Sequence, residues 1–326
     1  MTRLLLFLLL ATACTPSTGT THRTHSTPSV PPSPTKSATP GHLGWTAGAR
    51  LPFAVSEVGV AALGNQVHVL GGYVGGRPHS TTHLVLDTTT GRWRTAAPLP
   101  VALDHVGAVA VAGRVWAIGG YGAVPGGTTG VYAWDPSSDR WSVEAALPDR
   151  RAAGVAVVVA GLIHYIGGKS NGRDVAEHDV YDPGTNQWHT AAPMLTARDH
   201  AAAAVVGGRI YVAAGRPGDL ASTEAYDPAS NSWSRLPALP LGRSSVAGAE
   251  LSGRFLVIGG EHPGERAVDA EVDAYDPVRR RWSRLPDLPV ALQGIGAAVV
   301  GGRVYIPGGG PSGGGSRQSS TMLVLM

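Results

Sequence analysis

Six tryptophans at near-constant spacing constrain this chain more than any other feature. Trp45, Trp93, Trp141, Trp188, Trp233 and Trp282 are separated by 48, 48, 47, 45 and 49 residues. A glycine pair closes a hydrophobic run at the same pitch: Gly71-Gly72, Gly119-Gly120, Gly167-Gly168, Gly259-Gly260 and Gly308-Gly309, with Ala214-Gly215 in the fourth unit. Between pair and tryptophan stands an aromatic residue followed by Asp-Pro, as in Trp134-Asp135-Pro136, Tyr181-Asp182-Pro183, Tyr226-Asp227-Pro228 and Tyr275-Asp276-Pro277. Each of those aspartates, and Asp87, lies six residues before its tryptophan. Leu-Pro pairs ending at Pro52, Pro100, Pro148, Pro240 and Pro289 mark the close of most units. So many markers locked over six periods make the chain a tandem array of one supersecondary unit.

The second unit shows what that element is. Residues 104–112 form an apolar run of small and β-branched residues, which suits an inner strand buried on both faces. Residues 114–119 make a second strand after a tight Ala-Gly turn, and residues 131–135 a third. Asp-Pro then opens a turn, because proline presets its own φ and offers no N–H to a ladder. Residues 141–145 form a short outer strand whose indole can wedge between neighbouring units. No segment carries a long helical period.

A period near 50 with paired glycines resembles the Kelch repeat, and the resemblance runs from Leu43 to Met326. It implies an all-β fold, a six-bladed β-propeller with four-stranded blades. The ends fit such a ring. Residues 321–326, Thr-Met-Leu-Val-Leu-Met, repeat the third-strand pattern of residues 82–87, so the sixth unit stops before its outer strand. The repeat region begins with Gly44-Trp45, an outer strand lacking the three before it. The N-terminal outer strand is therefore expected to close the ring and remove a free sheet edge.

Ahead of the array, Arg3 precedes an eight-residue apolar run at 4–11, too short to span a bilayer as a helix but long enough for a signal-peptide core. Small residues and Cys14 follow. Residues 1–14 resemble a bacterial lipoprotein signal in which Cys14 takes the lipid, although Ala11 stands where Leu or Val is usual. Cys14 is the only cysteine, so an internal disulfide and a multi-cysteine metal site are excluded. Residues 15–42 are rich in Thr, Ser and Pro and have too little to bury to offset their ordering entropy, which reads as a disordered tether. The formal charge is +3, with arginines scattered rather than clustered, which argues against nucleic acid. The expected location is the outer face of a membrane, reached through the lipid anchor alone, or a periplasmic or secreted one where the signal is an ordinary secretory signal, with the propeller (43–326) a monomer.

In a Kelch-like blade the loops joining strands two and three, and those joining one blade to the next, share a face. Aligning the units on the glycine of the inner strand puts Ser56, Asp104, Arg151, Asp199, Ser244 and Gln293 at one level of the channel mouth. The next residue adds Glu57, His105, His200 and Ser245, and the preceding one Arg150, Arg198 and Arg243. From this set Asp104, His105, Arg151, Arg198, Asp199, His200 and Arg243 are the candidate ligand site: guanidinium forks grip acid groups, and Asp–His pairs serve acid–base chemistry. Polar groups at strand ends also satisfy loop backbones, so a purely structural role stands beside the functional one. The loops on this face add Arg77, His79, Arg173, Asp174, Glu261, His262, Glu265 and Arg266.

No cofactor and no metal are expected. The twelve histidines are spread singly, without a ligating motif. Glu265, Asp269 and Asp273 follow the spacing of a Glu-x-x-x-Asp-x-x-x-His string that binds iron in some Kelch-like plant proteins, but Asp273 stands where histidine belongs. The first functional reading is a non-enzymatic extracytoplasmic module that binds a protein, glycan or small ligand on its loop-rich face. The alternative is a sugar mutarotase or epimerase similar to six-bladed Kelch-like enzymes that act on sialic acid.

Overall fold

The computed structural model describes residues 43–262, 267–315 and 317–326. Cys14 and the two segments 1–14 and 15–42 lie outside the described residues, as do Glu265 and Arg266. Within 43–326 the apolar runs become strands, and the strands form six four-stranded antiparallel sheets. The second blade follows the sequence reading closely: Gly107–Val111, Arg114–Ile118, Val131–Asp135 and Arg140–Val143, each paired with the next. The inner strands of the other five blades are Gly59–Leu63, Val155–Val159, Ala202–Val206, Ala247–Leu251 and Ala298–Val300.

The sixth blade is assembled from both ends of the described chain. Trp45–Ala47 pairs with Met322–Leu325 in the register Trp45↔Leu325, Thr46↔Val324 and Ala47↔Leu323. Gly44 and Met326 exchange backbone hydrogen bonds, and Gly48 N–H donates to Met322. The expected N-terminal closing strand is present, and the fold is a six-bladed all-β propeller.

The apolar residues form no single core. Six clusters of buried side chains each lie between two adjacent blades. Both faces of a blade are thus buried, which explains inner strands that do not alternate polar with apolar. The six repeat tryptophans stitch the outer edges of these clusters. Each indole N–H donates to the carbonyl four residues past the tryptophan of the preceding unit: Trp93 to Ala49, Trp141 to Ala97, Trp188 to Ala145, Trp233 to Ala192 and Trp282 to Pro237. Trp45 completes the circle by donating to Pro286. A partly buried indole with its N–H satisfied contributes apolar burial and about 1 kcal/mol of hydrogen bonding.

The glycine pairs serve the opposite, inner end. Gly72 has φ +86°, and a Cβ there would collide with the Ser56 carbonyl and Val58 of its own blade. The residue after each pair is thereby brought beside the start of the inner strand: Ser56↔Tyr73, Asp104↔Tyr121, Ala152↔Lys169, Asp199↔Arg216, Ser244↔Glu261 and Gln293↔Gly310.

Candidate functional site

One residue per blade builds the head of the channel: Glu57, His105, Ala153, His200, Ser245 and Gly294. All six have positive φ, between 49° and 58°. The N–H of each donates to the carbonyl of its counterpart in the preceding blade at 2.8 to 3.0 Å, and Glu57 closes the loop onto Gly294. Five non-glycine residues are held in a sparsely populated region by this collar, and in the sixth blade Gly294 takes the same conformation without strain. Below it the channel is apolar, lined by Val58, Val106, Ala201, Val246 and Ile295, and the cavity at this level measures about 100 Å³. A larger depression of about 780 Å³, lined by Arg254, Asp276, Arg279 and Arg281, lies at the strand-end turns of the fifth blade. It belongs to the opposite face and gathers no convergent acid–base groups.

Three collar side chains carry chemistry, and each is mostly buried. The His105 ring lies with Nε2 3.1 Å from Glu57 Oε2 and Nδ1 2.5 Å from Asp104 Oδ1. His200 Nδ1 lies 3.0 Å from Asp199 Oδ1, and the two imidazoles meet edge to face with centroids 4.8 Å apart. Tyr73 and Tyr121 pack their edges on His105. Arg216 reaches over the ring: its guanidinium bonds Glu261 at 2.5 Å, Ser245 Oγ at 3.3 Å and His200 Nε2 at 3.4 Å. Lys169 bridges Asp174 and Asp199, each at 3.3 Å, and His79 Nδ1 lies 2.6 Å from Asp104.

Charge decides the protonation of these groups. Burial alone would raise the Glu57 carboxyl, but His105, with His200 and Arg216, holds it down at about 2. Burial would lower His105, but Glu57 and Asp104 push it up to about 10. His200 goes the other way, lowered by burial against the pull of Asp199, with His105 and Arg216 beside it. Burial also opposes ionisation of Asp199, yet His200, Lys169 and Arg216 keep it well below the usual carboxylate range. Tyr73 and Tyr121 are pushed up to about 12 by burial and by the neighbouring carboxylates.

The structure divides the residues singled out in the sequence. Asp104, His105, Asp199 and His200 come together at the channel mouth. Arg151, Arg198 and Arg243 do not reach it, which corrects their placement there. All three are 0–1% exposed and turn back into their blades. Arg198 bonds Glu224 at 2.8 Å, the Ala214 and Ser222 carbonyls, and Ser222 Oγ. Arg243 bonds the Gly259 and Val257 carbonyls and lies 3.0 Å from Asp273. Arg151 pairs with Asp179 and lies over the Tyr165 ring. They clamp the strand ends of their own blades. Arg151 also stands one residue out of the sequence register: the counterpart of Asp104 is Ala152, so the third blade gives the collar only Ala153. Among the loop residues, Arg77 and Arg173 are exposed, His262 lies between Asp219 and Asp269, and Asp273 is committed to Arg243.

Arg216, Lys169, Tyr73 and Tyr121 were not singled out, although a signal was present. Each follows its glycine pair directly, and that position forms the second ring of the mouth.

Comparison with known proteins agrees with this geometry. The Kelch motif model matches residues 103–148, 150–195 and 197–240. No curated protein matches the sequence. A solved structure titled "Structure of YjhT" superposes with a TM-score of 0.75 at 16% identity, covering 85% of this chain and 97% of that one. At that identity the likeness shows the fold alone. Three consecutive motif matches, each spanning one blade repeat, support a Kelch-repeat family for this propeller.

Proposed function

We propose that the protein is an extracytoplasmic, membrane-tethered binding module whose ligand site is the mouth of the propeller channel. The observation that carries this reading is the meeting of Glu57, His105, His200 and Arg216 above an otherwise apolar channel. A liquid water occupies about 30 Å³, so a cavity near 100 Å³ admits only a small head group. The rest of a ligand rests on Tyr73, Tyr121 and the surrounding loops. The partly exposed Arg216 suits a carboxylate or another oxyanion, and the imidazoles and carboxylates suit hydroxyls. A small polar ligand, such as an acidic sugar or a peptide terminus, fits this chemistry.

The outward location rests on residues 1–14 and on Cys14 as the lipid site. Cys14→Ser should release the protein from membranes into the soluble fraction. Wild-type protein already soluble after loss of a signal peptide would refute the anchor. A calorimetric screen of acidic and neutral glycans against the full-length protein tests the site. Binding that Arg216→Ala does not weaken would move the ligand elsewhere.

The enclosure of Glu57–His105–Asp104 beside His200–Asp199 favours a second reading. Coupled carboxylate–imidazole pairs in a channel are acid–base groups, and they suit proton transfer at a sugar's anomeric centre. Faster anomer interconversion of a reducing sugar, followed by NMR and abolished in His200→Gln, would establish it.

A further inference from the structure

We propose that Glu57, His105 and His200 form a binding site for a divalent transition metal of the zinc class at the head of the channel. The expectation of no metal site came from chain spacing, which cannot register residues joined by a ring. His105 and His200 come from the second and fourth blades and Glu57 from the first. One ligating atom from each lies within 4.8 Å of the other two. Zinc bonds to nitrogen and oxygen run about 2.0–2.2 Å, which sets neighbouring tetrahedral donors roughly 3.4 Å apart. Glu57 Oε2 and His105 Nε2, at 3.1 Å, already meet that spacing. The His200 ring completes it by moving inward by about 1 Å.

The surroundings are those of ligating imidazoles. Each histidine presents Nδ1 to a carboxylate, His105 to Asp104 and His200 to Asp199, and turns Nε2 the other way, His105 toward Glu57 and His200 toward Arg216. A carboxylate on the far nitrogen fixes the tautomer and raises the basicity of the ligating one. The three side chains are 8 to 11% exposed. Their backbones are fixed by the six-membered hydrogen-bond collar, so an arriving ion asks for side-chain adjustment alone. Charge points the same way. Among the described residues, Glu57, Asp104, Asp174, Asp199 and Glu261 face two fixed cations, Lys169 and Arg216. Five carboxylates against two cations leave three negative charges once a binding metal has displaced the His105 proton, and one dication offsets two of them.

Arg216 is the group that must yield. It lies 3.4 Å from His200 Nε2, but its stronger bond is the 2.5 Å contact with Glu261, and its side chain is 28% exposed. It withdraws from His200 while keeping Glu261. The open fourth position of the metal then faces the mouth, with Arg216 beside it. Two histidines and one carboxylate with a free position is a donor set suited to zinc-class ions. This site requires no organic ligand, so it stands or falls apart from the small-ligand reading.

The test uses full-length protein stripped with a chelator and titrated with Co²⁺, followed by visible absorption, then with Zn²⁺ in competition. One Co²⁺ per chain is expected, with the intense spectrum of a low-coordinate site. Glu57→Gln and His200→Gln, with melting curves like the parent, should each weaken uptake at least about tenfold, and Asp104→Asn and Asp199→Asn about 10–100-fold. Two different positions keep the test open if one variant fails to fold. His22, His25 and His42 lie outside the described residues, and their triple alanine variant should retain the metal. Absence of uptake, uptake that survives both Glu57→Gln and His200→Gln, or uptake lost in the triple variant would overturn the site. Glycan binding measured in the stripped protein reports on the small-ligand reading separately.

Discussion

Arg198 and Arg216 show how two arginines in one blade take opposite roles. Arg198 is fully buried against Glu224 and two backbone carbonyls, whereas Arg216 reaches the mouth and keeps a wet edge. Removing one partner of a buried pair leaves a stranded charge, so Arg198→Ala should cost about 3–5 kcal/mol of stability and lower Tm by several degrees. Arg216→Ala should lower Tm less, since the buried Glu261 keeps hydrogen bonds from Ser245 Oγ and the Gly314 N–H, and should weaken binding of an anionic ligand. Thermal melts and calorimetry on the two variants decide it; equal melting would contradict the division. The aspartates and histidines of the mouth were legible in the sequence because they sit at a fixed offset from the inner strand. The direction of the arginines was not. A long side chain at a strand end can turn toward the channel or into its own blade, and the choice depends on acids that follow later in the same unit. Glu224 does this for Arg198, Asp179 for Arg151 and Asp273 for Arg243.

At the scale of the strand, two blades carry a buried histidine pair. His68, on Gln66–Leu70, lies diagonally across from His83 on the neighbouring strand His83–Asp87. The ring nitrogens are 3.0 Å apart. His83 Nδ1 faces the Ala97 carbonyl, which can only accept, so that nitrogen carries hydrogen and Nε2 accepts from His68. His164 and His178 repeat the arrangement in the third blade, ending on Ala192. These rings pack on Trp134, or on Tyr226 and Trp233, inside the inter-blade clusters. Burial pushes His68 and His178 down to about 3, each with its partner's charge adding to the effect, and His83 and His164 down to about 4. The unfolded chain, with histidine near 6.5, binds these four protons more readily than the folded one. Their contribution to stability is therefore whole above about pH 6.5 and is lost as pH falls toward the folded values, at up to ~5 kcal/mol per pH unit for four protons. Urea midpoints should fall steeply between about pH 6 and 4.5. The double variant His68→Leu and His83→Leu should roughly halve that slope; an unchanged slope would place the acid sensitivity elsewhere. The strands themselves were legible from their runs and glycine pairs. The one-residue slip at Arg151 was not, because Gly154 follows the collar residue Ala153 directly, and alignment on that glycine shifts the third unit against its neighbours.

At the scale of the molecule, the ring is one chain whose first described strand finishes its last blade. The number of blades was legible because it equals the number of tryptophan periods, and the missing outer strand of the sixth unit had its only counterpart at Trp45. The convergence of Glu57, His105 and His200 was not legible, since residues a hundred positions apart meet only when the ring closes. Closure is held by the Trp45–Ala47 ladder, by Leu51 N–H to Ser320, by the Trp45 indole on Pro286, and by Leu43 and Trp45 against the cluster between the fifth and sixth blades. Deleting residues 43–50 bares the edge of Met322–Leu325 and removes two of the six indole contacts, that of Trp45 on Pro286 and that of Trp93 on the Ala49 carbonyl. The expected cost is several kcal/mol, since a covered sheet edge, two indole hydrogen bonds and the half-buried Trp45 ring are lost together. The damage should begin locally. Amide exchange should quicken first in Met322–Leu325 and Arg303–Pro307, while Val155–Val159, three blades away, keeps its protection until the ring opens as a whole. The single change Trp45→Ala should produce a milder form of the same pattern. A truncated protein with the parent's urea midpoint, or one in which the third blade loses protection before the sixth, would mean that the inter-blade clusters hold the ring and the terminal strand merely lies on it.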